Sequence, residues 1–169
     1  MPKLSKSMSK ALNEQIQNEI SSAYLYLAMA AECSSRNLKG TANWLRVQWQ
    51  EELAHATKMV DYVLERGNEV RLRAIPEPTF EFKSLTAAFE HVLEHEQAVS
   101  AAINTLYAKA AQENDFAAQA FLQWFVTEQV EEENSAQAVL DMLHIGGDQG
   151  AALLLVDRHL GQRGAAEPA

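Results

Sequence analysis

Glu52 and His55 sit in the middle of an apolar helical stripe, and that placement narrows what the chain can become. Residues three apart on a helix share one face. With Glu52 as the origin and 100° per residue, Leu45, Val63 and Met59 fall within about 20° of it. Trp49, Ala56 and Leu53 extend the apolar arc on one flank, and Tyr62 and Trp44 on the other. A carboxylate at the centre of such a stripe costs several kcal/mol unless a positive group meets it. A metal ion is the simplest such group, and a Glu-x-x-His pair projecting into a helix bundle is one way to hold it.

The stripe recurs. Four long segments carry helical periodicity and are rich in Ala, Leu, Glu and Gln. They are expected at about Lys6–Arg36, Thr41–Arg66, Leu85–Gln112 (behind Ser84 as N-cap) and Asp115–His144, with a short fifth helix at Asp148–Leu160. The first should stop at Asn37-Leu38-Lys39-Gly40, the second at Gly67-Asn68 and the fourth at Gly146-Gly147. On the first segment Glu19 is centred among Leu12, Ile16, Ala23, Tyr26 and Ala30. On the third, Glu96 is centred among Phe89, Val92, Leu93, Val99, Ile103 and Tyr107; on the fourth, Glu132 among Phe121, Phe125, Val139 and Leu143. No strand pattern and no internal repeat is visible.

The connections set the topology. The first–second and third–fourth links are a few residues long, so those pairs are antiparallel hairpins. The second–third link, Asn68 to Lys83 with Pro76 and Pro78, is long enough to run back along the bundle. About 16 extended residues reach about 50 Å, against about 40 Å for each helix. The expected fold is therefore all-α: a ferritin-like four-helix bundle with one long crossover and a short C-terminal helix. Residues 1–160 form one domain, and Gly161–Ala169 read as a disordered tail.

The four glutamates also agree in height. Each lies roughly 12–18 residues from the turn it shares with its hairpin partner, within a turn or so of mid-bundle. Four buried carboxylates at one level repel when ionised, and two divalent cations would balance them. Hard oxygen ligands with one imidazole suit iron or manganese, with zinc a third option. Any one of these residues alone reads as readily as a snorkelling side chain or half of an ion pair. Basic residues are scarce on these faces, so salt bridges explain the set poorly. Glu51, Glu128 and Glu131 lie at the edge of the arc, either as a solvated face or as a further, weaker metal site or exit route. Gln129 flanks Glu132 one turn earlier.

Charge and composition exclude other classes. A net charge of −9 disfavours nucleic acid and anionic membranes as partners and favours cations. The single cysteine, Cys33, rules out an internal disulfide or a Cys-x-x-Cys site, and reads as a small buried hydrophobe. The N-terminus lacks the apolar stretch of a signal peptide, and the apolar runs are too short to span a bilayer, so a cytoplasmic, soluble protein is expected.

At these residues the chain resembles the prokaryotic non-haem ferritins, over nearly its whole length. The matching motifs are Leu12-Asn13-Glu14-Gln15 with Glu19 and Tyr26; Gln50-Glu51-Glu52 with His55; Leu85 to Glu96-Gln97; and Phe121-Leu122-Gln123-Trp124 with Glu128-Gln129 and Glu131-Glu132-Glu133. The resemblance implies ferroxidase activity, oxidising Fe(II) with O2 or H2O2, and a homo-oligomeric shell of twenty-four subunits that stores ferric mineral. It implies one iron on Glu19, Glu52 and His55, with Glu52 bridging to a second on Glu96. Glu132 and Gln129 would lie close by, Gln129 as a ligand or only a hydrogen-bonding group. Glu51, Glu128 and Glu131 match third-site carboxylates, and Tyr26 and Trp124 match aromatics able to donate electrons, with core packing as the plainer reading of both. Leu53 stands where bacterioferritins carry a haem-ligating Met, so no haem is expected. Gln129-x-x-Glu132 replaces a second Glu-x-x-His. Gln119 and Leu122 replace the acidic residues of the animal threefold channel. A soluble di-iron oxidase acting on an organic substrate, a DNA-protecting mini-ferritin and a non-catalytic shell or scaffold are the competing classes.

Overall fold

The computed structural model describes residues 3–164. Five helices follow in order: α1 Lys6–Ser35, α2 Lys39–Glu65, α3 Leu85–Gln112, α4 Phe116–Gly146 and α5 Gly150–Leu160. Local chemistry starts and stops them. Ser5, Ser84 and Asp115 each accept a hydrogen bond from a first-turn amide, of Met8, Ala87 and Ala118 respectively. Asn37 and Asn114 end α1 and α3 in the left-handed region, at φ 61° and 53°. There their short polar side chains are better tolerated than most.

Two boundaries differ from expectation, each through a long-range contact. The second helix begins at Lys39, so Gly40 lies inside its first turn instead of ending the preceding helix. A Cβ at Gly40 would lie 1.6 Å from the carbonyl oxygen of Asp157 on α5. Glycine is there for close approach of two helices, and the Asp157 carboxylate caps α2 through the amides of Gly40 and Thr41 at 3.1 and 2.8 Å. The fifth helix begins at Gly150, because Asp148 is spent elsewhere: its carboxylate accepts from the Thr86 hydroxyl at 2.9 Å, on the first turn of α3. One end of the bundle is thus tied together by α5 and the residues before it.

The crossover runs the length of α1. Asn13 brackets its start, donating to the Glu69 carbonyl at 3.0 Å and accepting from the Arg71 amide at 2.6 Å. Gln17 donates to the Ala74 carbonyl, and the Arg36 guanidinium lies 4.4 Å over the Phe82 ring. The chain has then returned to the end where α2 began, so α3 runs parallel to α2.

Buried apolar residues fall into two clusters, and the break between them positions the site. One contains Tyr26, Leu45, Phe89, Val92 and Val139; the other contains Ile16, Met59, Val99, Ile103 and Phe125. Every long helix crosses from one to the other, and every one carries buried polar residues at the crossing: Glu19 and Ser22, Gln48 with Glu52 and His55, Glu96, Gln129 and Glu132. Cys33 is fully buried in the first cluster, and burial pushes its thiol up to about 12. Leu53, expected on the flank of the apolar arc, is turned outward and 38% exposed. No helix among the described residues is long and apolar enough to cross a membrane.

Candidate metal centre

All four mid-bundle carboxylates reach the interior of the bundle. Glu19, Glu52, Glu96 and Glu132 are buried, and so are His55 and Gln129. Glu19, Glu52 and His55 offer ligand atoms that all lie within 4.8 Å of one another; His55, Glu128 and Glu132 form a second such group. Within the first, His55 Nδ1 stands 3.9 Å from Glu19 Oε2 and 3.6 Å from Glu52 Oε2.

Those three atoms are the anomaly of the structure. Glu19 Oε2, Glu52 Oε2 and His55 Nδ1 are buried and lack a hydrogen-bond partner among the described residues. Native proteins rarely leave such groups unsatisfied, because each forfeits its hydration without return. Burial, and then the Glu52 carboxylate, push Glu19 well above the ordinary carboxyl range. Burial, and then Glu96, do the same to Glu52. Glu132 is pushed up to about 7, again by burial first and Glu96 second. A divalent cation among them would reverse the balance, supplying both the missing partner and the positive charge.

Glu96 is held differently. Its Oε1 accepts from the Tyr26 hydroxyl and its Oε2 from Gln129 Nε2 at 3.2 Å, leaving a second lone pair on each oxygen. Burial, then the Glu96 charge, raise the Tyr26 phenol well above its ordinary value, so it stays a protonated donor. Gln129 acts here as a hydrogen-bond donor, also reaching the Glu96 carbonyl at 3.3 Å. Trp124 meets the His55 ring edge-on at 5.4 Å, with Lys58 Nζ 3.9 Å over the indole.

The outer carboxylates do not gather as one set. Glu128 joins His55 and Glu132. Glu131 is exposed and belongs to neither convergent group. Glu51 is paired with Arg163, at 2.6 Å. Arg163 comes from the stretch Gly161–Ala169, and it meets Glu51 at the edge of the arc, not one of the four core-face glutamates. Residues 161–164 are placed, with Arg163 hydrogen-bonded to Gln48 and Glu51; residues 165–169 lie outside the described residues.

Other supporting residues were given no role from the sequence. Gln15 donates to Glu19 Oε1 at 2.8 Å and Gln48 donates to Glu132 Oε2 at 2.6 Å. A signal was present: each glutamine lies four residues before a buried glutamate, Glu19 or Glu52, on the same face. His95 Nε2 meets the Ser22 hydroxyl at 2.8 Å behind Tyr26, and burial lowers its pKa.

Known proteins share this architecture. The family model described as a ferritin-like domain matches residues 9–144. A probable bacterial non-heme ferritin-like protein of Haemophilus influenzae is 40% identical, over 94% of this chain and 96% of its own. The bacterial non-heme ferritin of Bacteroides fragilis is also 40% identical, over 95% of this chain and 99% of its own. Among solved structures, the open-pore ferritin of the hyperthermophilic archaeon Archaeoglobus fulgidus superposes with a TM-score of 0.93 and 53% identity, covering 95% of this chain and 98% of that one.

Proposed function

The chain belongs to the ferritin family, and from that premise we propose that it stores iron and has ferroxidase activity. Two Fe(II) ions are its substrates, bound within one subunit. The observation that carries this reading is the convergence of three buried, unpartnered ligand atoms, Glu19 Oε2, Glu52 Oε2 and His55 Nδ1, on one point. Glu19, Glu52 and His55 take the first ion; Glu52 extends to the second, with Glu96 and Glu132. Glu128 and Glu51 form a weaker third subsite.

The residues divide the work. Burial raises the pKa of Glu19 and Glu52, so Fe(II) binding to their ionised forms is coupled to proton release. Once ionised, the carboxylates favour Fe(III) over Fe(II). Two adjacent ions give up one electron each, and O2 takes both with two protons to leave as H2O2; H2O2 as oxidant takes two electrons and two protons to give water. With a single imidazole and otherwise carboxylate oxygens, the site holds ferric product loosely enough to pass it inward, where hydrolysis gives the ferric oxide-hydroxide mineral.

Tyr26 is the better placed of the two aromatic electron donors. Its hydroxyl points at the Glu96 carboxylate, which can take the phenol proton as an electron leaves. The Lys58 ammonium over Trp124 makes removal of an electron from the indole harder.

The shell is the second half of the proposal. Leu154 and Leu155 of α5 are 68% and 69% exposed in the single subunit, and Ile145 is 89% exposed. Such apolar surface at one end of the molecule fits burial between subunits of a closed assembly, here a shell of twenty-four.

Stopped-flow absorbance of the purified protein mixed with Fe(II) in air tests the reading. Glu52→Ala and His55→Ala should each abolish the fast oxidation phase while particle size on gel filtration stays that of the parent. Fast oxidation of two Fe(II) per subunit at the parental rate in both variants would defeat the assignment.

A further inference from the structure

The third-subsite carboxylate Glu51 already has a cation, and it belongs to the chain. Arg163 follows α5, beyond its last residue Leu160. Its backbone carbonyl accepts from Asn43 Nδ2 at 3.0 Å. Its guanidinium lies along one stripe of α2, at spacings of four and three residues. The Cζ is 4.4 Å above the Trp44 ring, Nη1 donates to Gln48 Oε1 at 2.9 Å, and Nη2 donates to Glu51 Oε2 at 2.6 Å. Both charged side chains are largely buried, 21% and 14% exposed.

Gln48 carries the effect inward. Its oxygen faces Arg163 and its Nε2 donates to Glu132 Oε2 at 2.6 Å. Turning the amide over would set oxygen against a carboxylate and N–H against a guanidinium, so the arginine fixes its orientation. Glu132 Oε2 is thereby given a standing donor. Glu51, meanwhile, is engaged by Arg163 and is not among the convergent ligand atoms of His55, Glu128 and Glu132.

We propose that Arg163 is a positioning residue and resident counter-charge for the third iron subsite: it occupies Glu51 and locks Gln48 onto Glu132, and a third cation binds by displacing it from Glu51. The two inner ions fill first because none of Glu19, Glu52 and His55 is engaged by a cation of the chain. The third fills against competition, which keeps that subsite weak and transient, as suits a step through which iron passes on its way elsewhere. This inference rests on the ferroxidase reading above.

Anaerobic isothermal titration of the assembled, iron-free protein with Fe(II), repeated with Zn(II), reads the competition without turnover. The parent should take up two ions tightly and a third weakly per subunit. Arg163→Ala should tighten the third by about tenfold or more, the scale of a charge-assisted hydrogen-bonded pair removed. Arg163→Lys keeps the charge but lacks the rigid fork that meets Gln48 and Glu51 through separate nitrogens, and should fall between the two. The double variant Arg163→Ala/Glu51→Gln should lose the gain, because the freed ligand is gone; an arginine that merely buttressed the fold would leave the gain in place. If Arg163→Ala fails to assemble, the Arg163→Lys titration and Glu51→Gln alone decide. A third ion no tighter in the arginine variants, with two ions still bound by the parent, overturns the proposal and spares the function. No tight binding by the parent overturns both.

Discussion

Glu132→Gln in metal-free protein isolates the cost of burying one of the site's charges. The Glu132 carboxyl is pushed up to about 7 from an ordinary 4.5, by burial first and the Glu96 charge second. A difference of that size is worth about 3 kcal/mol. Because the folded value lies above the unfolded one, the neutral carboxyl's contribution to stability is complete below about pH 4.5 and is lost as the pH rises through about 7. The glutamine variant never ionises, and its side-chain oxygen can still accept from Gln48. Chemical unfolding in guanidinium with chelator present, followed by far-ultraviolet circular dichroism, should therefore show parent and variant nearly equal at about pH 4.5. At about pH 8 the variant should be more stable by about 3 kcal/mol. Contributions from subunit contacts cancel in this difference, since the substitution is inside the bundle. Added Zn(II) should shrink or invert the gap at the higher pH, because the parent alone offers the carboxylate. Parallel loss of stability in the two proteins across this range would show that Glu132 titrates as a solvated group, and the argument from burial would fall.

Three further outcomes follow from the same geometry. Tyr26→Phe removes the hydroxyl that donates to Glu96 and should cost about 1–2 kcal/mol in the metal-free protein; an organic radical signal seen by electron paramagnetic resonance after Fe(II) and O2 should vanish in it and survive in Trp124→Phe. Gly40→Ala would put a methyl 1.6 Å from the Asp157 carbonyl oxygen, so it should destabilise by about 1–3 kcal/mol and speed amide exchange along α5; unchanged exchange there would refute the close-packing account. Leu154→Lys with Leu155→Lys should leave helical content intact but reduce the particle to small oligomers on gel filtration, and an intact shell would show that this exposed face of α5 lies outside the subunit contacts.

The sequence alone determined the helices, their order and the height at which the four glutamates meet. Helical periodicity, the Ser84 cap and the reach of the second–third link are local properties, and local rules carry them. The centre was legible for the same reason: Glu19, Glu52, Glu96 and Glu132 are each defined against their own helix's apolar stripe, without reference to any other. What was not legible depended on pairing distant segments. Arg163 meets Gln48 across 115 positions. Glu51, Glu128 and Glu131 look alike in sequence, yet tertiary structure gives the first to an arginine, the second to the histidine side of the site and the third to solvent. Gly40 resembles a helix stop until Asp157 is seen against it. Periodicity fixes which way a side chain leaves its helix. Only the neighbours brought there by the fold decide what that side chain meets, and the difference between a metal ligand and half of an ion pair lies in that meeting.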